Sequence, residues 1–266
     1  LACPTLADPP LWVVKSGKAE VFLFGQMWVK ADTHWQSSKT WAAFNKSVEL
    51  WTENPQERGN LDPSLLAEIN RNSKPVSDLL SPNDMARLQA FLQTADVRIS
   101  AVNSSNAYFL LEGVLERQGG LDPGNLPEPV FAKRAAEVGK PIHSEWGSAE
   151  AALRWGASQP DAVQAGLIRK ALDELDEGAP AFNARIAAWQ RGDLRMEVSS
   201  VQRFRERSPA AFRAVATDRN ASWVARIKDM LSRPGVYFVC MGIDHLVGPE
   251  GVVAQLEAGG IRVKRQ

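Results

Sequence analysis

Two uninterrupted apolar runs lie near opposite ends of the chain, Val21-Phe-Leu-Phe24 and Val236-Tyr-Phe-Val-Cys-Met241. Short runs of β-branched, aromatic and apolar residues are the pattern of strands buried on both faces. Each run stops at a glycine, Gly25 and Gly242. Leu11-Trp-Val-Val14, followed by Gly17, supplies the other arm of a hairpin with the first run. If the two runs lie side by side, residues 26–28 and 243–245 face each other across one cleft. In an open α/β sheet that cleft is the carboxyl edge, where ligands bind.

Between these runs the period changes. Trp35 to Lys46 has helical spacing, and Val48-Glu-Leu-Trp-Thr-Glu53 alternates as a strand ended by Asn54-Pro55. A short helix is predicted at 63–70. Ser81 with Pro82 marks a helix start, with Met85, Leu88, Phe91 and Leu92 on one face. Residues 97–117 read as helix, as do Phe131 to Val138. Lys140 to Glu145 reads as a strand, with His143 expected to point into the sheet. From 148 to 231 helical stripes follow one another: Val163 to Leu175, then Phe182, Ile186 and Trp189, then a helix capped by Ser208-Pro209, then Trp223, Ile227, Met230 and Leu231. Ile261 to Lys264 is a last strand. The predicted fold is α/β: a central mixed β-sheet built from N- and C-terminal parts, with a large helical insertion. One domain spans 1–266, the insertion covering roughly 60–235 and broken by a strand near 141–145.

Composition narrows the classes. Lys and Arg together number 31 and balance 31 Asp and Glu, so no basic surface argues for nucleic acid. No apolar run reaches transmembrane length. Leu1-Ala2-Cys3 matches the end of a bacterial lipoprotein leader, which would place a lipid anchor on Cys3 and the protein outside the cytoplasm, periplasmic or secreted. Cys3 and Cys240 allow one disulfide.

The chemistry-bearing residues that fall at predicted strand ends are Gln26, Trp28, Glu53, Glu145 and His245. Two carboxylates and an imidazole on one sheet edge suit a divalent cation such as zinc, manganese or cobalt, and metal-assisted hydrolysis. Solvated strand-end glutamates and a hydrogen-bonded turn histidine are the alternative. The serine-hydrolase, P-loop, dinucleotide and zinc-protease motifs are absent. The tryptophans at 28, 35 and 41 are candidates for an aromatic cleft.

Five segments in order resemble the TraB/GumN family, which includes the Tiki-type membrane proteases: Val21-Phe-Leu-Phe-Gly25, Glu49-Leu-Trp-Thr-Glu53, Gly139-Lys-Pro-Ile-His-Ser-Glu145, Asp218-Arg-Asn-Ala-Ser-Trp223 and Gly242-Ile-Asp-His-Leu-Val-Gly-Pro-Glu-Gly251. The family is marked by two Gly-x-x-His motifs and by glutamates that look like metal ligands or catalytic groups. The resemblance implies a role for Glu53, Glu145 and His245 in metal binding or catalysis, with Arg219 and Asn220 shaping the same cleft beside Gly25 and Gly242. Its Tiki members are peptidases using manganese or cobalt. This chain departs from the pattern at the first motif, Gly25-Gln26-Met27-Trp28, where an indole replaces the histidine and cannot coordinate. Gln26 offers a carbonyl oxygen, and His34 falls in a loop.

Two expectations stand together. One is an extracytoplasmic metal-dependent hydrolase, peptidase-like, with an altered metal site. The other is a catalytically inactive relative, with no cofactor, whose cleft lined by Trp28, Gln26 and Trp35 binds a ligand or a cell-envelope partner. The ligand in either case is a peptide or small molecule.

Overall fold

A computed structural model describes residues 8–55 and 62–266; Cys3 and its lipid-anchor expectation lie outside them. The chain opens with the hairpin β1 (Leu11–Ser16) and β2 (Ala19–Gln26). The helix α1 (Ser38–Lys46), the strand β3 (Glu49–Thr52) and the helices α2 (Pro63–Asn72), α3 (Pro82–Thr94), α4 (Ser104–Gly119) and α5 (Pro127–Glu137) follow. Next come β4 (Ile142–Ser144), α6 (Ala149–Ala157), α7 (Asp161–Gln190), α8 (Arg195–Arg207) and α9 (Pro209–Phe212). A π-helical turn, Arg213–Thr217, leads into α10 (Asp218–Ser232). The chain closes with β5 (Gly235–Gly242), α11 (Ile243–Leu246), α12 (Val252–Ala258) and β6 (Val263–Arg265).

The six strands form one mixed sheet in the order β4-β3-β5-β2-β1-β6. The two apolar runs are its central neighbours: β2 pairs with β5 in parallel, with Gln26 opposite Gly242. β3 runs parallel to both β5 and β4. Only β1 is antiparallel to its partners, β2 and β6. The carboxyl ends of β2, β5, β3 and β4 therefore share one edge. Parallel strands need long crossovers, and the helices between these strands provide them. The central strands are covered on both faces, which is why they read as unbroken apolar runs. Phe24, Leu23, Phe238 and Val239 are fully buried, each burial stabilising by roughly 1.5–3 kcal/mol.

The helical part carries its own apolar cluster, built from α3, α4 and the first half of α7. The two apolar stripes read between 163 and 189 are the two halves of α7, which bends at Gly178 (φ 72°, ψ 174°) with Pro180 just beyond. Ile186 and Trp189 on the second half join the sheet core. Ser81 caps α3 as its sequence predicts, its hydroxyl accepting the Asp84 N–H at 3.1 Å. Ser208 does not cap: its hydroxyl makes no bond to the following turn and instead accepts from Arg169 at 3.3 Å.

Other local expectations are corrected. His143 does not point into the sheet interior; it is solvent-exposed and stacks on Trp51 with ring centroids 4.5 Å apart. Trp35 and Trp41 do not line a cleft. Trp35 is buried against Phe24 and Phe131, and Trp41 packs on Phe44 and Phe131. The aromatic content of β2, α1 and α5 is thus spent on one core rather than on a binding surface.

Candidate functional site

Glu53 and Glu145 stand one residue past the ends of β3 and β4. The pairing carries on beyond the strands, the Glu145 N–H donating to the Thr52 carbonyl at 3.0 Å. Both carboxylates are thereby aimed over the same edge. Arg219 fills the space between them. Its Nη2 donates to Glu53 Oε1 at 2.7 Å and to Glu145 Oε2 at 2.6 Å, and its Nε donates to Glu145 Oε1 at 2.9 Å. The Glu145 pair is the bidentate fork that a guanidinium makes best. Arg219 and Asn220 reach the edge from the start of α10, immediately after the π-helical turn, a distortion common at functional sites.

The remaining bonds lock this cluster. Glu53 Oε2 accepts the Gly242 N–H at 3.0 Å. A Cβ at Gly242 would stand 3.2 Å from the same carboxylate oxygen, so the close approach uses the missing side chain. Glu145 Oε2 also accepts from Trp223 Nε1 at 3.0 Å, and Arg226 donates to the Glu145 carbonyl at 2.9 Å. Gly25 packs beneath Ile243 and Leu246 of α11, its carbonyl accepting from Trp189 Nε1 at 2.8 Å rather than bonding the glutamates.

His245 sits in α11, buried, with Nδ1 2.7 Å from Asn220 Oδ1. The Asn220 amide is oriented by its own donation to the Glu250 carbonyl at 2.8 Å. Its oxygen therefore accepts, and Nδ1 of His245 carries the hydrogen. Nε2 is left facing Glu53 Oε1 at 3.4 Å.

The electrostatics follow from these distances. Burial alone would raise the Glu53 carboxyl, but the charges of Arg219 and then His245 outweigh it and hold it well below the usual carboxylate range. Burial lowers His245, and the facing Glu53 carboxylate overrides that, so the imidazole is raised from its ordinary value. Arg219 is lifted further by its two carboxylates against the effect of its burial.

A second polar cluster adjoins the first and was missed from the sequence. Glu128, in the first turn of α5, is buried. Its Oε1 accepts the Asn54 N–H at 2.8 Å, and its Oε2 accepts Asn54 Nδ2 at 2.9 Å and Gln26 Nε2 at 3.2 Å. Gln26 Oε1 in turn accepts the Glu128 N–H at 3.1 Å. Burial first, and the nearby Glu53 charge second, push the Glu128 carboxyl up to about 7. Nothing at Pro127-Glu128 distinguishes this residue from an ordinary helix-start acid, which the helix dipole favours anyway. Trp223 was equally hidden, since it also satisfies a helix-packing stripe.

The expected ligand set is brought together, but not as an open metal site. Arg219 already satisfies both glutamates, and Nε2 of His245 faces a carboxylate rather than a vacant position. Gln26 is committed at both ends of its amide to Glu128. Trp28 stands beyond β2 as a half-exposed indole, and His34 is exposed in its loop. Among the described residues no group of three or more His, Cys, Asp or Glu side chains is arranged to hold a metal ion. The residues present therefore do not fit a resident transition metal in this geometry. Cys240, buried in β5, has its thiol pushed up by burial and by the charges of Glu128 and Glu53. No helix among the described residues is long and apolar enough to cross a membrane.

A model of the TraB/PrgY/gumN family matches residues 10–265. No curated protein and no solved structure matches the chain.

Proposed function

The chain belongs to the TraB/PrgY/gumN family, and from that premise we propose that it is a ligand-binding member whose cleft works without a resident transition metal. The observation that carries this reading is Arg219, whose guanidinium bonds Glu53 and Glu145 together. A metal ion would have to displace a bidentate, buried ion pair, and the second imidazole of the paired motifs is absent at Trp28. In this reading Arg219 is the cation of the site. Glu53 and Glu145 hold it, the Gly242 N–H steadies Glu53, and Asn220 with His245 fixes the floor beside it. The ligand is a peptide or small molecule met outside the cytoplasm, a placement supported by the resemblance to the family.

The metal-dependent hydrolase is the second reading, and one observation favours it. Asn220 fixes the tautomer of His245 and leaves Nε2 toward Glu53, the orientation a metal-binding or proton-transferring histidine requires. That reading needs Arg219 to leave Glu53. Elemental analysis of protein purified without chelator, beside a His245→Ala variant, separates the two. The proposed reading predicts less than about a tenth of an equivalent of manganese, cobalt or zinc in both proteins. Near-stoichiometric metal in the parent that disappears in His245→Ala would establish the hydrolase reading instead.

A further inference from the structure

Five tryptophans donate their indole N–H to the protein: Trp35 to Asn125, Trp41 to Gln36, Trp51 to Glu49, Trp189 to the Gly25 carbonyl and Trp223 to Glu145. Trp12, Trp28, Trp146 and Trp155 do not, among the described residues, and of these four only Trp146 and Trp155 stand against each other. Both rings are half-buried. They contact each other with centroids 4.7 Å apart and planes tilted by 38°. The Arg219 guanidinium lies 5.4 Å from the centroid of Trp146 and 6.0 Å from that of Trp155. The pair therefore stands at the mouth of the cluster, not on a remote surface.

The local chain is shaped to present it. Trp146 follows Glu145 directly. Gly147, with a left-handed φ of 73°, turns the backbone, and Ser148 caps α6 by accepting the Ala151 N–H at 3.1 Å. Two turns later α6 brings Trp155 back against Trp146. Both N–H groups reach solvent, so a ligand oxygen can take the place of water there. Here two such donors, two flat apolar faces and an ion-paired base occupy one place.

That combination selects a ligand class. A cationic group would be set beside Arg219, and an anionic one beside Glu53 and Glu145. A bare aromatic ring would cover the indole faces and leave both N–H groups without acceptors. A pyranose ring offers a flat C–H face to an indole and hydroxyl oxygens to the N–H donors. We propose that Trp146 and Trp155 form a sugar-binding subsite at the mouth of the cleft, taking one pyranose ring of a neutral glycan. This rests on the reading of the cleft as a ligand-binding site and names its substrate class. Trp28, 37% exposed past the end of β2, lies three strands along the same edge, about 14 Å away by strand spacing. A glycan of several rings would meet it as a third indole.

The test uses the full chain labelled with 15N, its indole signals assigned through Trp146→Phe and Trp155→Phe. It is titrated with β-1,4-linked tetramers of glucose and of N-acetylglucosamine, and with a phenylalanine-rich tetrapeptide. Saturable shifts of the Trp146 and Trp155 signals by a tetrasaccharide are expected. Trp155→Ala should weaken that binding about ten-fold or more, the scale of a lost stacking contact. Trp155→Phe, which keeps a ring and loses the N–H, should lose less, and it decides the matter if the alanine variant does not fold. No shift of either indole with either tetrasaccharide at millimolar concentration overturns the subsite, as does a response to the peptide alone. Titration of the same sample with zinc, which is diamagnetic and leaves nearby signals visible, keeps the two claims apart. Metal binding with intact indole shifts would contradict the metal-free reading and leave the subsite standing. Silent indoles without metal binding would do the reverse.

Discussion

At the scale of single residues, the polar cluster at the sheet edge is a balance of two opposite titrations. Glu53 is held ionised by Arg219 and His245, so its stabilising effect is present above the unfolded value of 4.5 and is lost as pH falls through its depressed folded value. Glu128 behaves the other way. Its folded pKa is raised to about 7 from 4.5, so the stability it contributes is complete below 4.5 and is lost as pH rises through 7. That loss is about 3 kcal/mol. Urea unfolding of Glu128→Gln at pH 4.5 and pH 8 should therefore show a smaller fall in stability between the two than the parent shows. An equal fall would mean that Glu128 titrates normally. Arg219→Met should destabilise by about 3–5 kcal/mol at pH 7, because it leaves the largely buried Glu145 without its cation and Glu53 with His245 alone. The deficit should shrink in acid, as Glu53 takes up its proton. A variant as stable as the parent at pH 7 would remove Arg219 from its bridging role.

At the scale of elements, much was legible and the reason is physical. The hairpin, the two central strands, the α3 cap and the strand ends carrying Glu53 and Glu145 all rest on local pattern: apolar runs, turn glycines, a Ser-Pro cap. What escaped depends on partners distant in sequence. Trp35 reads as a cleft aromatic until α5 brings Phe131 against it. Glu128 reads as a helix-start acid until β2 and β3 deliver Gln26 and Asn54. The bend in α7 was legible only as two separate stripes, because the backbone of Gly178 joins them. Its φ and ψ, 72° and 174°, lie in a region open essentially to glycine. Gly178→Ala should cost about 1–3 kcal/mol, read as a lower melting temperature with little change at the sheet edge. An unshifted melting temperature would mean that α7 can straighten without loss.

At the scale of the whole molecule, four parallel strand ends and α10 with α11 converge on one edge, and the sequence order of five segments pointed there before any distance was known. The convergence of Glu53, Glu145 and His245 was foreseeable from strand ends. The insertion of Arg219 between the glutamates was not, since its place depends on the long helical crossover that returns α10 to the edge. That insertion decides the reading, and the response to metal tests it most directly. Thermal melting of the wild-type chain with 1 mM manganese, cobalt or zinc, against a chelated control, measures it. A resident site with saturating metal would raise the melting temperature by about 5 °C or more. No rise is expected with any of the three ions. A rise of that size that vanishes in His245→Ala and Glu53→Gln would contradict it.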